Sequence, residues 1–342
     1  MAFDATTALL EARQNMVAAA QGKFASNELR MPIYGAWQAH KDGANLLSPN
    51  LNIQDLRKYT GQVVRIPVLK KGISSSVTNA RACADTGAAA GAFKNLNFLT
   101  VHQGFQISYL STVTNQFDYN TQVQAAMMEL MRSLYTYLDQ QAIAHYETIK
   151  STVNGGTRYK TTVAGAKQVP FKDYDRLPGR LTTEMMGNDF NGLMDIVASP
   201  NFTDAWKYVQ NQGAANGQNL QYQTGDYRLY ADRFIADASG TDSTAYIHSP
   251  GTVGVFSWIN QLHRDGQDIG TDVWTTFTDP YYGVTWELKM KRECRDNSAT
   301  VQGGEADFVE SWGLTAEFAF TEAFSSTADT GVYKYQVLAE AA

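Results

Sequence analysis

Three kinds of side chain in this sequence could do chemistry: histidines, cysteines and clustered carboxylates. The five histidines are His40, His102, His145, His248 and His263, and none stands at the short spacing that metal ligation from one helix or loop requires. A histidine base can find its partners in space, but the local sequence offers none, so each is read as a core or surface residue. Cys83 and Cys294 lie 211 positions apart, which is neither a disulfide framework nor a C-x-x-C pair. That usage fits a reducing compartment better than secretion. Asp265-Gly-Gln-Asp-Ile-Gly-Thr-Asp272 sets three carboxylates among glycines, the donor type that holds Ca²⁺. Its spacing departs from the EF-hand loop and no Glu closes it, so a solvated turn is the reading. Asp173-Tyr-Asp175 is a D-x-D pair, read as loop geometry. Lys70 and Lys71 open a long connection. Lys289, Lys291, Arg292 and Arg295 are interleaved with Glu287, Glu293 and Asp296, as on a solvated strand face with cross-strand ion pairs. The phosphate-loop, dinucleotide, nucleophile-elbow and H-E-x-x-H motifs are absent. No catalytic, cofactor-binding or metal-ligating residue is therefore assigned, no cofactor is expected, and the chain is not read as an enzyme.

The elements that would have to position such groups are easier to read. The chain has 342 residues, 44% of them apolar, enough for a real core. Only 18% are charged, against about 25% in an average domain. The net charge of −6 argues against a main task of gripping phosphate backbones. The first residues lack a basic start followed by an apolar run, so no signal peptide is read there. The sequence holds no run of about 18 uncharged apolar residues, the length that spans a membrane.

Residues 4–20 read as a helix, with Leu9, Leu10, Arg13, Met16, Val17 and Ala20 at spacings of three and four. The stretch from Met31 through Trp37 and beyond mixes apolar residues with breakers and shows no sustained period. It cannot close a core alone and is expected to lie across something else. Residues 62–69 and 98–108 read as two strands around a 28-residue insert rich in Gly, Ala, Ser and Thr. Pro67 marks the first as an edge strand. A connection that long buries too little to offset its ordering entropy as a free loop.

Residues 119–150 carry the strongest signal. Val123, Met127, Leu130, Leu134, Leu138, Ala142, Tyr146 and Ile149 recur at three or four, with Thr121 and Gln124 as a capping box and Asp118 or Asn120 as other caps. At ~1.5 Å per residue the helix reaches ~46 Å, too long for one small core, and suits a spine backing an extended sheet. Residues 151–187 read as short strands and loop. Residues 189–198 and 202–210 read as two short helices broken at Pro200. Residues 227–235, 245–248 and 253–259 suggest strands or short helices of a compact α/β unit. Val284, Trp286, Leu288 and Met290 then alternate with charged residues, and Trp312, Leu314, Ala316, Phe318 and Phe320 alternate with more polar ones. These form an expected antiparallel pair with one dry face, covered by the long helix. Residues 332–338 could add a last strand.

This order of segments resembles the major capsid proteins of tailed bacteriophages, the Hong Kong 97-like fold. The fold class expected is α+β. The resemblance implies an N-terminal arm over residues 1–60 and an E-loop over 61–108. It implies a peripheral domain over 109–187 with the spine helix at 118–150, an axial α/β domain over 188–280, and returning peripheral strands over 281–342. It also implies self-assembly into pentamers and hexamers around double-stranded DNA without sequence-specific binding or membrane contact. A scaffolding protein, a portal and decoration proteins are the further partners it implies. The location implied is the virion capsid, assembled in the host cytoplasm. Because the arm begins almost at once, a separate scaffold or earlier processing is expected. Low charge density suits a molecule that buries surface against its own copies. The rival readings are an encapsulin-like compartment, an enzyme with an unrecognised site, and a carbohydrate-binding protein.

Overall fold

The computed structural model of the protein describes residues 5–20, 31–47, 53–57, 61–69, 91–109, 116–152, 159–162, 164–187, 190, 192–204, 206–207, 227–260, 267–269, 272–296, 306–324 and 329–340. The elements run α1 (Ala5–Ala20), α2 (Gly35–Leu47), α3 (Ile53–Leu56), β1 (Val64–Leu69), β2 (Gly91–Leu96), β3 (Leu99–Ser108) and α4 (Gln116–Ile149). They continue β4 (Lys160–Thr161), β5 (Ala166–Val169), a 3-10 helix (Phe171–Arg176), α5 (Leu177–Met186), β6 (Met194–Ala198), β7 (Tyr227–Ala231) and β8 (Thr241–His248). The last are β9 (Val253–Trp258), β10 (Gln267–Ile269), β11 (Asp272–Thr278), β12 (Thr285–Asp296), β13 (Ala306–Glu322) and β14 (Tyr333–Leu338). The class is mixed α+β, as expected.

The long antiparallel pair forms as its alternation requires. Register sets Leu288 opposite Leu314 and Met290 opposite Trp312. Trp286, Leu288, Trp312, Leu314, Ala316 and Phe318 turn to one side and are at most 3% exposed. Their cover is α4, whose Tyr119, Val123, Met127, Leu130, Met131, Leu134 and Leu138 join them in one core. Burying each large side chain there stabilises by about 1.5–3 kcal/mol. The sheet extends in the order β10-β11-β12-β13-β3, with β9 also on β13, and every pairing is antiparallel.

At 34 residues, α4 outruns that sheet. It starts at Gln116, so Thr121 lies inside the helix and is not its cap. Its last turns, with Ala142, Tyr146 and Ile149, pack with Val197, Tyr246 and Val332. These belong to a second sheet of order β4-β5-β14-β8-β6-β7 or its immediate flank. That sheet is mixed, with β14–β5 and β6–β7 parallel. Its other face is covered by α5 and the helical segment carrying Phe202 and Trp206. A spine of ~51 Å at ~1.5 Å per residue thus backs both sheets.

The structure corrects several sequence expectations. Residues 35–47 form a helix, α2, where the sequence shows no sustained period; the stretch does lie across other elements, and Ala36, Trp37, Ala39 and His40 are at most 1% exposed. Gly35 and Gly43, eight apart, allow this approach. A Cβ on Gly35 would stand 2.4 Å from the Ala231 carbonyl oxygen, and one on Gly43 would stand 2.1 Å from that of Val253. On α1 the buried face is Ala8, Ala12 and Met16, while Leu10 is exposed. The strand at 64–69 pairs with β2, and the strand at 99–108 pairs with β13. The first expected helix at 189–198 is instead the strand β6, every residue of it buried. Residues 177–186 form a helix where loop was expected, with Pro at its first turn. Strands β9 and β11 pair within the long sheet, whereas β5 and β14 belong to the mixed sheet.

Candidate functional site

Three of the carboxylates read as turn or strand decoration, Asp173, Asp272 and Glu293, are held in ion pairs. Asp173 pairs with Arg180 at 3.2 Å. Asp272 pairs with Lys289 at 2.7 Å, Lys291 pairs with Glu293, and Arg292 donates to Glu310 at 2.8 Å. The basic strand face is therefore laced with ion pairs rather than presented as a positive stripe. Residues 265–266 and 270–271 of the acidic segment lie outside the described residues, as do Cys83, His263, Lys70 and Lys71. Cys294 is exposed and in the free thiol form. Among the described residues no three His, Cys, Asp or Glu side chains are grouped to hold a metal ion. No helix among them is long and apolar enough to cross a membrane.

The histidines are less scattered than their spacing suggests. His40 on α2 and His145 on α4 bring Nε2 and Nδ1 within 3.0 Å, and His145 Nε2 lies 3.3 Å from Glu322 Oε2. His40 Nδ1 reaches the Ala36 carbonyl at 2.8 Å, so Nδ1 is the donor and Nε2 the acceptor. His145 Nδ1 is then the donor to His40 Nε2. Burial, followed by His145, holds the His40 pKa well below the ordinary histidine value. Burial opposes the charge on Glu322, but hydrogen bonds from His145 and Lys94 outweigh it and lower its pKa. The chain Lys94–Glu322–His145–His40 thereby ties β2, β13, α4 and α2 together. Nearby, His248 Nε2 bonds the Tyr146 hydroxyl at 2.8 Å. His102 sits apart, on the Thr315 hydroxyl at 2.7 Å.

A second cluster fixes α4 to the mixed sheet. Glu147 receives Lys150, Lys334 and the Tyr246 hydroxyl. Burial raises its pKa, but these donors outweigh burial and pull it down to about 2. Sequence spacing could not find either cluster, because the partners come from separate elements that meet only in the fold.

What remains open is apolar surface. Strands β1 and β2 form a sheet of two. Val64, Ile66, Val68 and Leu96 on its inner face pack with Phe256, Trp258 and Ala319. Its outer face carries Pro67 opposite Phe93, and Phe93 is 78% exposed. Leu10, Ile33, Leu46, Leu56 and Val63 are also more than half exposed. Phe93 and these five residues all precede β3 in the chain, the part expected to serve as arm and loop.

No protein-family model and no curated protein matches this chain. Among solved structures, it is similar to the capsid of Ralstonia phage GP4, at 10% identity and a TM-score of 0.45, over 84% of this chain and 86% of that one. It is similar to the capsid of Cyanophage P-SCSP1u at 12% identity and a TM-score of 0.43, over 81% and 84%. It is also similar to the capsid of an empty GTA particle, at 8% identity and a TM-score of 0.46, over 94% and 98%. Each of the three is a capsid structure.

Proposed function

We propose that this chain is a structural protein, the shell subunit of a capsid of the tailed-phage type. It assembles through pentamers and hexamers around double-stranded DNA, and it is not an enzyme. The observation that carries the proposal is the β1–β2 ribbon. A two-stranded sheet is marginal by itself, and this one is held on its inner face while its outer face leaves Phe93 and Pro67 uncovered. A large aromatic placed in water on a ribbon is the anchor type found at interface centres. In this reading residues 1–60 act as the arm and 61–108 as the E-loop. The α4 spine and the long antiparallel sheet are the peripheral part, and the mixed sheet is the axial part. A scaffolding protein, a portal and decoration proteins complete the particle, which forms in the host cytoplasm.

Negative-stain microscopy and sedimentation of the purified chain test this. Closed shells, or rings with fivefold or sixfold symmetry, are expected. A monodisperse monomer at every concentration overturns the proposal. Shells isolated from their natural source should contain nuclease-protected DNA; shells filled with enzyme cargo would point to an encapsulin-like compartment instead.

A further inference from the structure

Asp139, on α4, and Asp232, directly after β7, are 0% and 1% exposed. Backbone N–H groups hold three of their four oxygens. Asp232 Oδ2 accepts from Ala36 at 2.8 Å and Oδ1 from Phe234 at 2.8 Å. Asp139 Oδ1 accepts from Trp37 at 2.9 Å. Ala36 and Trp37 open α2, so both carboxyl groups sit on the positive end of that helix. The fourth oxygen, Asp139 Oδ2, is buried and receives no N–H or O–H from the protein. The N–H groups of the consecutive residues Ala36 and Trp37 go one to each side chain, so the two buried carboxyl groups are neighbours. Two adjacent buried anions strongly resist joint ionisation, and a proton on the open oxygen would let one carboxyl group donate to the other.

We infer that Asp139 and Asp232 are a proton-binding site that locks the start of α2 onto α4, with the proton on Asp139 Oδ2 and donated to the Asp232 carboxylate. The assignment follows from the donors. Asp232 has both oxygens engaged by N–H groups, which favours its anion, whereas Asp139 has a free oxygen to carry hydrogen. Other groups face the pair from every side. They are Tyr34 ahead of α2, Tyr146 on α4, Tyr246 on β8 and Tyr282 in the turn after β11. His40 on α2 is held neutral by burial, and Arg233 is the cation beside Asp232. Burial, then Asp232, pushes the Asp139 pKa up to about 8, consistent with the retained proton. Loss of the proton would leave two adjacent buried anions, so α2 loosens as pH rises.

The test is hydrogen exchange of the α2 segment together with melting temperature, each followed from about pH 6 to about pH 9. In the parent, protection of residues 34–40 should fall at least tenfold across that range after correction for intrinsic exchange. Asp139→Asn keeps an oxygen for Trp37 and an N–H for Asp232, and should hold its protection constant. Asp232→Asn replaces an acceptor of two N–H groups and should lower protection at every pH. If Asp139→Asn follows the parent's profile, or the two variants behave alike, the proton is not where we place it. If Asp139→Asn does not fold, infrared spectroscopy of Glu287→Gln decides. A protonated carboxyl band at about pH 6 that vanishes by about pH 9 supports the site, and its absence overturns it.

Discussion

Arg57 and Glu317 meet at 2.5 Å with their side chains only 6% and 12% exposed. The guanidinium also lies 3.9 Å from the Phe98 ring centre and 4.5 Å from that of Trp258. A residue just past α3 is thus clamped between the strand pair that follows it and a strand 260 positions later in the same chain. The expected arm is therefore free in part only. Among the described residues its outward side chains lie in water, while Arg57 and the inner face of α2 are as deeply set as core residues.

Removing one partner of that pair strands the other. Arg57→Ala leaves Glu317 nearly buried, next to Glu287, and should cost about 3–5 kcal/mol. Arg57→Met combined with Glu317→Leu removes both charges and should recover most of the loss. Urea midpoints of the two variants against the parent measure this. Equal losses in both would mean that packing around Phe98 and Trp258, not charge, holds the joint.

Glu287 makes stability depend on pH near neutrality. Burial, then the charge of Glu317, raises its pKa from 4.5 to about 7. The folded chain keeps a proton that the unfolded chain has lost, so stability falls as pH rises from about 4.5 to about 7 and is level above. Glu287→Gln should melt with the parent at about pH 4 and above it at about pH 8. Calorimetric scans across the range show whether the two curves diverge in that direction.

The parts of the fold that are legible in the sequence share one physical property. Each alternates an apolar face with a polar one, although Glu287 on the polar face of β12 is itself buried. Trp286 and Leu288 alternate with Glu287 and Lys289 because one side of β12 meets α4, and the stripe on α4 repeats for the same reason. Strand β6 lacks that signal because both its faces are covered: Ile196 and Ala198 turn to α5, and Val197 turns to α4. Met194, Ile196, Val197 and Ala198 show no alternation around Asp195, and so short a run reads equally well as buried helix, which is why the sequence alone points the wrong way there. Helix α2 is hidden because its packing residues include Ala36, Ala39, Gly43 and Ala44, small side chains that resemble a breaker-rich loop. The seam of His40, His145 and Glu322 is illegible for another reason. Its members are up to 282 positions apart, and no local spacing encodes them.

Close approach of α2 can be tested at one atom. Gly43→Ala should favour the isolated helix by roughly 1 kcal/mol, since glycine is a poor helix former. In the protein its methyl group would lie 2.1 Å from the Val253 carbonyl oxygen, which is backbone and cannot step aside. The helix must back away from β9, so a net loss of about 1–3 kcal/mol is expected. A denaturant midpoint at or above the parent's would show that α2 has slack against the sheet.

Ile66 and Phe93 separate folding from assembly because they point to opposite sides of one ribbon. Ile66 is 1% exposed, whereas Phe93 is 78% exposed and opposite Pro67. Ile66→Ala should destabilise the single chain by about 2–5 kcal/mol. Phe93→Ser changes a side chain already in water, and its effect on the melting of the single chain should stay within about 0.5 kcal/mol. If the outer face docks on a neighbouring copy, the same substitution removes an anchor worth about 2 kcal/mol at every repeat of the contact. Because a shell closes through many such contacts together, a modest loss at each shifts assembly steeply. Sedimentation of Phe93→Ser should therefore show folded chains that fail to reach large particles at concentrations where the parent does. Particles of parent size and yield would remove the ribbon's outer face from the assembly interface.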